Sequence, residues 1–348
     1  MNKKWIVLVT IIFVSVFIAA CGSESSSSEG NGEEAESQGS ESESENNDSA
    51  SAELPEGDIQ TMIPVAEGGG TDTTHRGLAD IVEEYLDRNV VVNNVTGSGG
   101  SVGFSEAANY EGDGSHLFSY TSEIFTLPIY QENTGFKPED FKPLLNISHD
   151  PAAIVVSADS EYETLDDFIQ AAEENPGQIS IGNSGFGNIW HLSATAFEKE
   201  AGIEFKQVPY DGAAETVQAT LGGHIDSFVA SPPEVASQVE AGELRILATM
   251  AEERSEHFPD VPTLSENDIE ISIGTWRGLG VPSDTPNEIV TKLEEAYSQA
   301  INSEEFEQFM DEQGMNIRFM NNEDFTEFVE NERPRFEQLA QEAEAQEE

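Results

Sequence analysis

Ile59, Thr61, Ile63 and Val65 fall at alternate positions, the period of a strand, and Leu78, Ile81, Val82 and Tyr85 fall three or four apart, the period of a helix. Between them lies Glu67-Gly68-Gly69-Gly70-Thr71-Asp72, so the patterned part of the chain opens as strand, glycine loop, helix. Val90-Val91-Val92 predicts a short buried strand and leads into a second glycine loop, Gly97-Ser98-Gly99-Gly100. Further strands are predicted at 117–120, 154–157, 179–181, 205–208, 225–229, 244–249 and 269–273, with helical stretches between most of them. Strands alternating with helices favour an α/β fold of mixed, mostly parallel sheets flanked by helices. After Pro286 the apolar positions Ile289, Leu293 and Ala296, then Phe306, Phe309 and Met310, then Phe325, Phe328 and Val329 predict helices packed on a sheet already built. No repeat of fixed period interrupts this order.

The chain before residue 58 is patterned differently. Lys3 and Lys4 precede an apolar run from Trp5 to Ala20, too short to cross a bilayer comfortably, because a spanning helix needs roughly 20 residues. A basic start and a small-residue end make residues 1–20 a signal peptide, with a short uncleaved anchor helix as the alternative. Ile18-Ala19-Ala20-Cys21 resembles the lipobox of bacterial lipoproteins, with Ile where Leu is commoner, and implies lipidation of Cys21. Cys21 is the only cysteine, which excludes an intramolecular disulfide, a cysteine zinc site or a Cys-x-x-Cys redox pair. Residues 21–57, rich in Ser and Glu, have too little apolar surface to fold and read as a self-repelling acidic tether.

Charge changes the picture further. The 348 residues carry 68 Asp and Glu against 15 Lys and Arg, a net −53. Such a polyanion neither releases counterions from phosphate backbones nor clings to anionic lipid, so nucleic acid is excluded as a partner. Residues 22–60 hold twelve acids and no base, yet the chain from 61 onward still carries about −43, so the folded body is itself acidic.

Within that body, the three glycines of the first loop let backbone approach a ligand. Thr71 and Asp72 are placed to cap the next helix, whose first N–H groups make a seat for a carboxylate or phosphate. The plain alternative is a capped turn with no ligand; Asp72 is assigned to ordering the loop. The second loop lacks the last glycine of a dinucleotide fingerprint, because Val102 stands there. Gly99-Gly100-Ser101-Val102-Gly103 does match a nucleophile elbow, which leaves a secreted esterase using Ser101 as a rival reading. His75, His116, His149, His191, His224 and His257 show no metal-pair spacing and no calcium loop is found, so neither metal nor cofactor is expected. Of the six, His191 follows a glycine-rich loop and is the one placed to face a cleft. Among the scarce arginines, Arg76 and Arg277 lie beside glycine-rich segments; each holds either a ligand carboxylate or one of the many acids of the chain.

These pieces in this order resemble the extracytoplasmic binding proteins of tripartite tricarboxylate transporters. The resemblance is carried by Ile63-Pro64 with Gly68 to Asp72, Gly97 to Gly100 with Gly103, Gly112-Asp113-Gly114, Asn175-Pro176-Gly177, Val208-Pro209-Tyr210, Leu221-Gly222-Gly223-His224-Ile225-Asp226 and Pro259-Asp260-Val261-Pro262-Thr263. It implies a two-lobed type II periplasmic-binding fold: lobe 1 over 58–157, lobe 2 over 158–274, and a return to lobe 1 over 275–348. It implies a monomer that is not an enzyme, anchored outside the membrane through Cys21. Such a protein captures a small di- or tricarboxylate, citrate-like acids first, and passes it to the permease subunits of a transporter; a sensing subunit is the other use of the fold.

The seats implied are Gly69, Gly70, Thr71 and Asp72; Thr121 and Ser122; Ser184, Phe186, Asn188 and His191; and Tyr210 with Asp211. There are departures from the family. The usual Glu-Asn-Arg-Pro is Asn93-Asn94-Val95-Thr96, and Tyr-Lys-Gly is Tyr210-Asp211-Gly212, each exchanging a cation away. Arg277 after Trp276 therefore stands as the expected holder of a second or third carboxylate.

Overall fold

The computed structural model describes residues 53–347, so the signal peptide, Cys21 and the tether up to residue 52 lie outside the described residues. The chain runs β1 (Ile59–Ile63), α1 (Gly70–Leu86), β2 (Val90–Asn94), α2 (Ser101–Ala107), β3 (His116–Tyr120), α3 (Glu123–Tyr130) and β4 (Phe141–Pro151). It continues through β5 (Ala153–Ser157), α4 (Leu165–Glu174), β6 (Ser180–Asn183), α5 (Ile189–Ala201), β7 (Lys206–Pro209), α6 (Ala213–Leu221), β8 (Ser227–Ala230), α7 (Pro232–Glu240) and β9 (Leu244–Thr249). It returns as β10 (Gly274–Pro282), α8 (Asn287–Ile301), α9 (Glu304–Glu312), β11 (Ile317–Met320) and α10 (Asn322–Glu347).

The strands form two sheets, one ordered β11-β4-β10-β3-β1-β2 and the other β7-β6-β8-β5-β9. Strands joined by a helix pair in parallel, β1 with β2 and β3, and β6 with β7 and β8. The strands that carry the chain between sheets pair antiparallel: β10 with β3 and β4, and β5 with β8 and β9. Each sheet, covered by helices, makes one lobe.

The crossing is a small hydrogen-bonded knot of three extended segments. Ala152 N–H donates to Ile273 O, Ile273 N–H to Met250 O, and Met250 N–H to Ala152 O. Ile269, Ile271 and Ile273 are buried there, at the periodicity that predicted a strand, but the segment is a linker and the strand itself starts at Gly274. The change of sheet falls at Pro151–Ala152, because β5 pairs with β8 and β9; the sequence had kept that strand with lobe 1, up to 157. Val90-Val91-Val92 lies on an edge strand with Val91 exposed, so only alternate side chains are covered. The C-terminal helix α10 packs on α3 of lobe 1 and on α5 of lobe 2, where Lys199 pairs with Glu342 at 2.7 Å. Leu54, at the end of the predicted tether, is held against the body by Arg88 Nη2 donating to its carbonyl at 3.1 Å.

Candidate functional site

The first glycine loop turns the chain from β1 into α1 with no side chain capping the helix: Gly69 occupies the N-cap position, and Thr71 and Asp72 lie inside the first turn. Asp72 faces backwards instead, accepting from Gly68 N–H at 3.0 Å, from Asn94 at 2.9 Å and from Arg76 at 2.6 Å. Burial pushes its carboxyl up, but the bonds from Arg76, Gly68 and Asn94 outweigh that and hold it below the usual carboxylate range. The loop is thereby fixed, and the first N–H groups of α1 remain for a ligand.

Those groups open into a cleft of about 890 Å³ between the lobes. From lobe 1 the cleft is lined by Gly69, Gly70, Thr71, Thr121 and the second glycine loop, Gly97 to Gly100. From lobe 2 it is lined by Ser184, Phe186, Asn188, Tyr210 and Asp211. The lobes touch around it: a Cβ on Gly185 would lie 3.5 Å from Gly99 Cα, and one on Gly212 would lie 3.6 Å from Ala66 Cβ. Gly99 and Gly185 both have positive φ, 67° and 106°, which suits glycine where two backbones meet.

Four expected contacts lie elsewhere. Asp72 orders the loop from behind, and Ser122 is buried just before α3, outside the lining. His191 is buried in the first turn of α5, where its Nδ1 accepts from Gly187 N–H at 3.2 Å and its ring meets Phe186 and Tyr130 edge to face. Arg277 is the fourth. It is fully buried in β10, ion-paired with Asp150 of β4 and within 3.4 Å of Ser231 Oγ, and it does not line the cleft. The reason is register: β10 and β4 pair so that Arg277 stands opposite Ser148, one same-face step from Asp150. Arg76 is likewise held by Asp72 and Asn94. Ser101 is buried at the start of α2 and outside the lining, so the elbow pattern does not present its hydroxyl to the cleft.

Glu123 is one of the lining residues that the sequence did not single out. It is only 5 % exposed, and its Oε1 accepts from Ile189 N–H of α5 at 3.0 Å, across from lobe 1 to lobe 2. Three residues on, Thr126 Oγ1 donates to Gly187 O at 2.7 Å. The next amide of α5, Trp190 N–H, is taken by Asn188 Oδ1 at 3.0 Å. The helix starts at the cleft thus differ: α1 and α6 have no side-chain cap, and the first two amides of α5 already have protein acceptors. One acid among 68 gives no local signal of this role; its place between Ser122 and the apolar Ile124-Phe125 was the available hint.

The sequence profile described as tripartite tricarboxylate transporter family receptor, TctC, matches residues 74–344. The chain belongs to that family. A UPF0065 protein from the gbd 5′ region of Cupriavidus necator is 33% identical over 278 residues, covering 80% of this chain and 84% of that protein. A TctC solute-binding protein from Polaromonas, solved without ligand, is 34% identical with a TM-score of 0.64 over 82% of this chain and 99% of its own. A Rhodopseudomonas palustris protein solved with adipate is 27% identical, with a TM-score of 0.79 over 84% and 98%. The receptor is therefore an extracytoplasmic solute-binding protein with the two-lobed periplasmic-binding fold.

Proposed function

We propose that this receptor captures a small carboxylic acid in the cleft and delivers it to the membrane subunits of a tripartite tricarboxylate-type transporter, held at the cell surface by lipidated Cys21. The observation that carries the reading is the uncapped start of α1, seated behind three glycines at the wall of a cleft bounded by both lobes. Backbone amides at a helix start, with the Thr71 and Thr121 hydroxyls and the free amide of Asn188 beside them, suit a carboxylate without any cation. The relative bound to adipate supports an acid as solute. Di- and tricarboxylates, citrate-like acids included, fit the volume, but the arginine expected to hold a second or third carboxylate is committed to Asp150.

Calorimetric titration of the folded body against a panel of small carboxylates tests the capture step. The expected result is saturable binding near one to one; a folded protein that binds no acid rejects the reading. Anchoring is tested separately by cell fractionation, where Cys21→Ser should move the protein from the membrane to the soluble fraction. A variant that stays with the membrane would reject the anchor alone.

A further inference from the structure

We propose that the solute carries a protonated amine as well as a carboxylate, with the acid group on the start of α1 and the amine against Glu123. The inference rests on the reading of the cleft as an acid-binding site and narrows the class of acid. Among the described residues, the lining of the cleft includes five carboxylates, Glu67, Glu123, Asp211, Glu215 and Glu234, and no Lys, Arg or His. Glu123 is the decisive member, because it is nine-tenths buried and its hydrogen bonding is incomplete. Oε1 has the Ile189 amide at 3.0 Å, while Oε2 has only the Ser122 hydroxyl at the long distance of 3.5 Å. An ionised carboxylate offers about four lone-pair sites, so acceptor capacity remains at the wall of the cleft.

The start of α1 and the corner of the cleft at Glu123 therefore ask for opposite chemistry. At α1 a helix start with no side-chain cap favours an anion. At α5 the corresponding amides are already bonded to Glu123 and Asn188, and a second ligand carboxylate would meet a buried carboxylate of the protein with no cation beside it. An ammonium group there gains a charge-assisted hydrogen bond to Oε2 in place of that repulsion.

The experiment is calorimetric titration of the wild-type protein with succinate, glutarate and adipate, and with the amino acids in which one carboxyl becomes an aminomethyl group: 4-aminobutyrate, 5-aminopentanoate and 6-aminohexanoate. Citrate and the diamines of matching length complete the panel. The expected result is that the tightest amino acid exceeds its amine-free partner and citrate by at least about tenfold, and that Glu123→Gln, which keeps an acceptor for Ile189, reduces that ratio to below about threefold. An amine-free acid that binds as tightly as the amino acids overturns the inference and leaves the carboxylate reading standing. Preference for a diamine, or no binding of any acid by the folded protein, overturns both. The wild-type ratios decide the matter even if Glu123→Gln does not fold.

Discussion

Arg277 and Asp150 are opposite charges with no exposure to water, placed where the strands cross between lobes. A buried pair adds little net stability, but removing one member leaves the other charge uncompensated, at about 3–5 kcal/mol. Arg277→Met is therefore expected to lower the unfolding free energy by about that amount in urea titrations, and Arg277→Met with Asp150→Leu to recover most of it. A loss below about 1 kcal/mol in the single variant would show that the pair does not anchor the crossing. His191 makes the second residue-scale prediction. Burial lowers its pKa from 6.5 to about 4, so the folded protein binds fewer protons than the unfolded chain between those values. Its contribution is complete above about pH 6.5 and is lost as the pH falls toward 4, by roughly 3 kcal/mol at the acid end. Protonation at Nδ1 also removes the acceptor for Gly187 N–H in the cleft loop. Thermal melts of wild type should fall over this range, and those of His191→Gln should fall less; equal slopes would assign the acid sensitivity to other groups.

At the scale of elements, α1 can start where it does because Gly70 has no side chain. A Cβ there would lie 2.5 Å from Arg277 Nη2 and 3.1 Å from Cζ, so the helix start and the buried ion pair pack directly on one another. Gly70→Ala should destabilise the fold by about 1–3 kcal/mol and weaken solute binding, since either the guanidinium or the first turn must move. Unchanged affinity in calorimetry would separate α1 from the binding site. The strands of strong apolar alternation were legible in the sequence: β1 and β3 and the strands of the second sheet lie within a residue or two of their predicted positions. β4 was not, because its polar residues Asn146, Ser148 and Asp150 suggest a wet face. In the folded chain all three are fully buried, with Asn146 Nδ2 bonded to Arg318 O at 2.7 Å and Asp150 paired to Arg277. β10 escaped for a related reason: three glycines and an arginine mask a strand buried along its whole length.

For the whole molecule, the dominant quantity is a net charge of −53. An amine-free acid must enter against that field, and its affinity should rise as salt shortens the screening length from about 30 Å at 0.01 M to about 10 Å at 0.1 M. A zwitterion carries no net charge and should bind with little change over the same range. Titrations at the two ionic strengths thus give an independent reading of the solute class; steep weakening with salt would point to a cationic solute. The lobe contacts belong to this scale as well, since Glu123, Thr126 and Gly99 join the two lobes across the cleft.

Local pattern and composition determined the α/β body, the glycine loop before α1, the acidic surface and the confinement of the single cysteine to the N-terminal segment. Each of these depends on neighbouring residues or on simple totals. Tertiary structure decided which charges meet. Arg277 and Asp150 are 127 positions apart and Glu123 and Ile189 are 66 apart, so only strand register and lobe packing bring them together. That pairing moved the scarce arginine from the cleft into the crossing and placed an acid at the far wall of the cleft, because a charge in a fold is defined by what is packed against it.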